Sequence, residues 1–203
     1  LPRGRGMGRS VLNRGDFATV EDLSPADRAD PLAYRGNVIA AAPPLIPNGL
    51  VNHTTIRAFN ELWYRKAPAH RMDELQTIAA FFHPLDMIGD WNLAYGTQGF
   101  VQWQFALPFE AEDTLIHIIN RLSQAGTPSF VNVLKTFGPG NRGPLSFPIG
   151  GWTLAIDIPT ATPGLPRLLD DLDDEVAANG GRIYLAKDSR LRADLLAAMY
   201  PRL

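Results

Sequence analysis

One pattern occurs twice in this chain and restricts the fold more than any other feature: a strand-like run followed by an amphipathic helix. In the first helix Leu115, Ile118, Ile119 and Leu122 fall on one stripe, and Leu165, Leu168, Leu169 and Leu172 repeat it in the second. The i, i+3, i+4, i+7 spacing is that of a helix with one buried face. Each helix follows an alternating strand that ends in proline (Pro108, Pro159) and precedes glycine (Gly126, then Gly180 and Gly181) and a further strand. Two consecutive β-α-β repeats predict an α+β fold. Its antiparallel sheet is of the ferredoxin-like, split β-α-β kind, with helices on one face and the ligand face open.

The first unit reads as strand Phe100–Leu107, helix Glu110–Gln124 and strand Ser129–Phe137. The second reads as strand Trp152–Ile158, helix Leu165–Asn179 and strand Arg182–Lys187. A loop rich in glycine and proline, Gly138 to Gly151, joins them, and a last helix covers Leu191–Met199. Upstream, Thr54–Lys66 is predicted helical because Ile56, Phe59, Leu62 and Trp63 share a face. Leu75–Phe82 reads as a strand ended by His83-Pro84, and Met87–Tyr95 as a short helix or ordered loop. Short strands are expected at Ser10–Leu12 and Phe17–Val20. Pro25, Pro31, Pro43, Pro44, Pro47 and Gly49 make the stretch up to residue 52 loop-rich.

With 203 residues the chain can bury a sizeable core, and 45% apolar with 20% charged residues is the profile of an ordinary soluble protein. A net charge of −2 supplies no basic field for nucleic acid, and Arg3, Arg5, Arg9 and Arg14 read as a solvated edge. There is no cysteine, which excludes disulfides, thiolate metal sites and cysteine nucleophiles and leaves the compartment open. No apolar run approaches the roughly 18 residues that a membrane-spanning helix needs. A start at Leu-Pro-Arg and a stop just after a helix read as a piece of something longer. Residues 1–52 form the leading strand and loop-rich segment, and residues 53–203 the main domain.

Period-two alternation sorts the strand side chains. Val101, Trp103, Phe105 and Leu107 face the helices, leaving Gln102 and Gln104 on the other side. Trp152, Leu154, Ile156 and Ile158 likewise face the helices, with Thr153, Ala155 and Asp157 opposite; Ile183 and Leu185 go inward, Arg182 and Tyr184 outward. The strand after the first helix offers two parities, Phe130, Asn132 and Leu134 or Val131, Val133, Lys135 and Phe137. The second is assigned to the open face, since burying a lone lysine against apolar helices costs several kcal/mol. The face thus collects two amides, a lysine, a threonine, an aspartate and a tyrosine among small apolar residues, with Lys187 at the end of the last strand. It reads either as a solvated sheet face or as a ligand face, where a few placed polar groups stand among apolar ones.

Specific strings lie on these strands and their flanks. They are Gly99-Phe100-Val101-Gln102-Trp103-Gln104-Phe105, Phe130-Val131-Asn132-Val133-Leu134-Lys135-Thr136-Phe137-Gly138-Pro139, Pro144-Leu145-Ser146-Phe147-Pro148 and Tyr184-Leu185-Ala186-Lys187-Asp188-Ser189-Arg190. Glu61-Leu62-Trp63-Tyr64-Arg65-Lys66 and Phe82-His83-Pro84-Leu85-Asp86-Met87 join them. In order and spacing these strings resemble the substrate domain of the decaprenylphosphoryl-β-D-ribose 2-oxidases, flavoproteins of the vanillyl-alcohol-oxidase-like superfamily that serve cell-wall arabinan synthesis. The resemblance runs from about residue 45 to the end and extends back to residue 10.

The resemblance implies an FAD enzyme of which this chain is the substrate-binding part, inactive alone, with the flavin held mainly by a domain absent from the chain. The implied reaction oxidises the 2-hydroxyl carbon of a ribose carried on polyprenyl phosphate, and a partner keto-reductase takes the 2-keto sugar. It implies a cell-envelope, periplasmic or membrane-associated setting, with possible association to a membrane surface and a cytoplasmic alternative. Lys187 matches the lysine that faces flavin and ligand and is the implied catalytic residue; Tyr184 joins it as a cofactor contact. Gln102, Gln104, Lys135, Thr153, Ala155 and Tyr184 match pocket-lining positions, with Val131, Val133 and Phe137 as apolar walls. Leu85 and Trp91 match a mobile segment covering the pocket. One departure matters: Ala155 stands where the family carries the cysteine attacked by covalent nitroaromatic inhibitors, and Thr153 where its best-known member has asparagine. Gly4, Gly6 and Gly8 lack the third glycine position of a dinucleotide fingerprint, and nothing strand-like precedes them.

Other chemistries are less well supported. His53, His70, His83 and His117 have no metal spacing, and no G-x-S-x-G elbow is present. Glu112-Asp113 and the Asp170–Glu175 run read as solvated helix faces. Gly138-Pro139-Gly140-Asn141-Arg142-Gly143 reads as a sharp turn in preference to a phosphate cradle. Trp103 and Trp152 fall on the helix-facing parity, so the open face lacks the stacking aromatics of an RNA-binding sheet. A sugar-lactone or alditol oxidase of the same superfamily and a non-enzymatic small-ligand module remain as alternatives.

Overall fold

The computed structural model describes residues 10–34, 36, 38, 40–41, 49–83, 86–129, 131–188 and 190–203. Leu85, Phe130, the arginines at 3, 5 and 9 and the glycines at 4, 6 and 8 lie outside the described residues. The amino-terminal elements are short: α1 (Pro25–Arg28) and β1 (Ala40–Ala41). The strands expected at Ser10–Leu12 and Phe17–Val20 are absent from the described residues. Leu12 and Phe17 are exposed there, and a 3-10 turn over Val20–Asp22 forms instead, with the Thr19 N–H donating to the Asp22 carboxylate at 2.9 Å.

α2 (His53–Lys66) forms where expected. Asn52 caps it by accepting from the N–H groups of Thr54 and Thr55, and the Thr55 hydroxyl accepts from the Asn52 N–H in return. Leu75–Phe82, expected as a strand, instead contains α3 (Ile78–Phe82), capped by the Thr77 hydroxyl accepting from Ala80 N–H. An apolar run this short fits either period, and the threonine cap decides for helix. Next come β2 (Ile88–Gly89), which pairs in parallel with β1, and a 3-10 turn over Trp91–Tyr95.

The main sheet begins with β3 (Phe100–Pro108), followed by α4 (Glu112–Gln124) and β4 (Asn132–Phe137). The second unit is β5 (Gly151–Pro159), α5 (Leu165–Ala178) and β6 (Arg182–Ile183), and α6 (Ala193–Met199) ends the described fold. The sheet order is β4-β5-β3-β6 and every neighbouring pair is antiparallel, so the α+β class is as expected. Within the two repeats the first and third strands are central, and the second and fourth are edges. β4 and β6 are shorter than expected: β6 stops at Ile183, and the chain then turns, with the Lys187 N–H donating to Tyr184 O.

Both helices end alike. Gly126 and Gly180 adopt positive φ after the last turn, and Gly181 N–H donates to Val176 O at 2.8 Å, closing a Schellman cap. Leu115, Ile118 and Leu122 of α4 and Leu165, Leu169, Leu172 and Val176 of α5 are buried against Trp103, Phe105, Leu107, Leu154, Ile156 and Ile158. A smaller cluster of Val51, Ile56 and Tyr95, with Trp91 and Phe100 packed on it, sits at the start of β3. No helix among the described residues is long and apolar enough to cross a membrane.

Candidate functional site

The register arranges the non-helical face of the sheet in rows. Gln102 lies opposite Asp157; Gln104 opposite Ala155, itself opposite Val133; Ala106 opposite Thr153, itself opposite Lys135. Arg182 pairs with Ala106, and Tyr184 N–H donates to Gln104 O at 2.8 Å, which adds both to the same rows. Lys135 therefore shares the face with Gln104 and Thr153, while Asn132 and Leu134 pair with Ile156 and Leu154 on the helix side. Val131 carries the row of Asp157, whose N–H donates to Val131 O at 3.3 Å.

At one end, Lys187 Nζ donates to Gln102 Oε1 at 2.8 Å, and the Asp188 carboxylate accepts from Gln102 N–H at 2.6 Å. These contacts bring Lys187 onto β3 although β6 has already ended. Asp157 is 1% exposed, and burial raises its carboxyl above the usual range; the Gln102 hydrogen bond and Lys187 pull it down and Asp188 pushes it up. In the middle, Gln104 Nε2 donates to Thr153 Oγ1 at 3.1 Å, and that hydroxyl donates to Phe105 O at 2.8 Å, which locks Thr153 in place.

The face is not bare. Phe147 stacks on Tyr184 with ring centres 4.5 Å apart, Phe137 meets Phe147 edge-on at 5.6 Å, and Arg182 donates to Ser146 O. Residues 145–148 thereby fold back over one end of the sheet. A cleft of about 370 Å³ remains between Gln104, Tyr184, Phe137 and this turn. It adjoins a second cleft of about 560 Å³ reached past Phe137, Asn141 and Pro148. The glycine-rich loop is a folded turn: Asn141 Oδ1 accepts Gly143 N–H at 2.8 Å, and Arg202 donates to the carbonyls of Asn141 and Gly143.

Of the expected site residues, Gln102 and Lys187 meet directly. Gln104, Thr153, Ala155, Val133 and Tyr184 adjoin one another, and Val131, Lys135 and Phe137 line the β4 edge of the same face. Trp91 packs on Tyr95 and Phe100, with ring centres 6.4 and 5.6 Å away, in the smaller cluster. Phe100 stands two residues before Gln102 on the same side of β3. Leu85 lies outside the described residues. The Ser146–Phe147 turn is a part of the site that the sequence reading does not include, and Asp157, placed on the face, is not among its expected site residues. The alternation puts Asp157 on the right face, but pairing with Gln102 is visible only in the register.

Fold and face together define an α+β domain with a polar, partly covered sheet surface. Over 197 residues, 97% of this chain, it is 44% identical to decaprenylphosphoryl-beta-D-ribose oxidase of Mycolicibacterium smegmatis (strain ATCC 700084 / mc(2)155). It is also 40% identical over 210 residues to a Streptomyces coelicolor protein described as "Uncharacterized protein in mprA 5'region". The chain spans 42% of the first relative's length and 56% of the second's. No protein-family model matches it.

Proposed function

We propose that this chain forms the substrate-facing half of an FAD-dependent oxidase site, acting on the 2-hydroxyl of decaprenylphosphoryl-ribose in cell-wall arabinan precursor synthesis. The observation that carries this reading is the 44% identity to the M. smegmatis oxidase across nearly the whole chain. The site geometry supports it. An ammonium, two amides and a phenol stand on one sheet face beside apolar Val131, Val133 and Phe137, a composition suited to a sugar.

The donor set fits the edge of an isoalloxazine. Lys187 keeps N–H donors beyond the one given to Gln102, and Tyr184 lies one turn away. A pyrophosphate cradle is a different matter: the strand-to-helix turns of the two repeats, 109–111 and 160–164, contain one glycine, Gly164. The dinucleotide part would therefore be held elsewhere. When bound, the flavin supplies the electron acceptor. Lys187 stabilises negative charge developing on the substrate oxygen, Gln102, Gln104 and Tyr184 orient the hydroxyls, and Ala155 leaves room above the strand. Lys135, exposed on the β4 edge, offers a cation to the phosphate. The 2-keto product passes to a keto-reductase, and the lipid tail brings the protein to a membrane surface in the cell envelope.

Anaerobic mixing of the full-length protein with a polyprenyl-phosphate ribose should bleach the flavin absorbance. Bleaching by sugar lactones or alditols in preference to the lipid-linked pentose would refute this reading. Lys187→Ala should slow flavin reduction tenfold or more, about 1.4 kcal/mol in barrier. Unchanged reduction kinetics would remove Lys187 from the mechanism.

A further inference from the structure

We propose that Asp157 is a positioning residue: from the neighbouring strand of the same sheet face it fixes the Gln102 amide so that the amide oxygen holds the Lys187 ammonium over the strands. As a statement about catalysis this rests on the oxidase reading; as a statement about geometry it does not.

Register sets the pair. Gln102 and Asp157 are directly opposed on the two central strands, where side chains on a shared face come closest. A carboxylate only accepts hydrogen bonds and an ammonium only donates them. A Gln102 amide between the two thus has one satisfactory orientation, with NH₂ toward Asp157 and oxygen toward Lys187. The second half is present, Lys187 Nζ donating to Gln102 Oε1 at 2.8 Å, and the register sets the Asp157 carboxyl directly across from the same side chain. The flipped amide would set oxygen against carboxylate and NH₂ against ammonium. Asp188 clamps the backbone of the same residue by accepting Gln102 N–H.

Asp157 is also poorly chosen for stability. It is 1% exposed, and its Oδ2 is buried with no hydrogen-bond partner among the described residues. Its nearest neighbours along β5 on this face are Ala155 and Pro159, neither of which can donate a hydrogen bond from its side chain. An under-satisfied buried carboxylate beside a lysine is typical of a group held for positioning. The charged groups acting on it are Lys187, which favours its ionised form, and Asp188, which opposes it. Protonation of Asp157 turns it into a donor, removes the constraint on the amide and loosens Lys187.

The test follows the Gln102 side-chain NH₂ resonances of the ¹⁵N-labelled protein through a pH titration, alongside the Asp157 carboxyl carbon. Both signals should move with one shared midpoint, and Asp157→Asn should abolish the pH response of the amide. Gln102 resonances indifferent to pH, or unaltered in pH response by Asp157→Asn, would overturn the proposal. Should Asp157→Asn not fold, Gln102→Leu serves. Loss of the amide donor must raise the Asp157 midpoint, and an unchanged midpoint overturns the idea equally. In the full-length oxidase Asp157→Asn should lower kcat about tenfold with a smaller rise in KM, since the hold on Lys187 is lost while Gln102 keeps its place and loses only its fixed orientation. Coupled titration in a protein that oxidises no lipid-linked pentose would uphold the positioning role and refute the oxidase reading instead.

Discussion

Replacing Arg190 with methionine should cost the fold about 3 kcal/mol near pH 8 and much less near pH 5. Asp173 of α5 is fully buried; Trp103 Nε1 donates to it at 2.9 Å, and Arg190 pairs with it and with Asp170. Breaking a buried pair from one side costs roughly 3–5 kcal/mol, because the remaining charge is stranded. The lower end applies here: the Arg190 side chain is 18% exposed, and Asp170, 44% exposed, stays hydrated without it. In a protein of this size such a loss lowers Tm by about 6–12 °C. Burial holds the Asp173 carboxyl above its usual range despite the guanidinium. The folded state therefore keeps that proton to higher pH than the unfolded chain does, and stability falls as pH rises through the window. Without Arg190 the window widens, so the variant's deficit grows from acid toward neutral pH. Urea denaturation at both pH values measures it, and Asp173→Asn added to Arg190→Met should restore most of the loss. An equal deficit at both pH values, or no recovery in the double variant, would refute the reasoning.

Three further outcomes are expected. Asp157, with its carboxyl likewise raised by burial, gives stability that declines as pH climbs through its window; Asp157→Asn escapes the decline, so its Tm relative to the parent should rise with pH, and a constant difference would contradict this. Gly151→Ala should unfold the protein or cost about 3 kcal/mol or more by thermal melts, because the added Cβ would lie 1.9 Å from Leu107 O on the central strand pair; a wild-type Tm would show that β3 and β5 separate freely there. With Ala155 where the resembled family carries a cysteine, the full-length protein incubated with polyprenyl-phosphate ribose and a covalent nitroaromatic inhibitor should show no adduct on residues 151–159 by peptide mass spectrometry, and an adduct there would contradict the assignment.

The parts of the fold that rest on periodicity were legible in the residues. Leu115–Leu122 and Leu165–Leu172 each pack one stripe on the sheet, and the cost of burying Lys135 chose the parity of β4 correctly. Where context outweighs period, the reading failed. Ile78–Phe82 carries no distinguishing alternation, so a single threonine cap makes it a helix, and Val11, Leu12 and Phe17 have the composition of strands but pair with none of the described residues. The site divides in the same way. Face membership of Gln102, Gln104, Thr153 and Tyr184 follows from alternation, whereas the fold-back of Phe147 onto Tyr184 and the burial of Asp157 depend on loop geometry and register, which no local pattern encodes.

The position of the sugar end of a bound substrate is the central question. A polyprenyl-phosphate pentose carrying a photoreactive group on the sugar, cross-linked to the full-length protein and mapped by tandem mass spectrometry, tests this directly. Adducts should fall on Gln102–Gln104, Val131–Phe137, Thr153–Asp157 and Tyr184–Lys187. Adducts on the outward surfaces of α4 and α5, with those four segments unmodified, would contradict it.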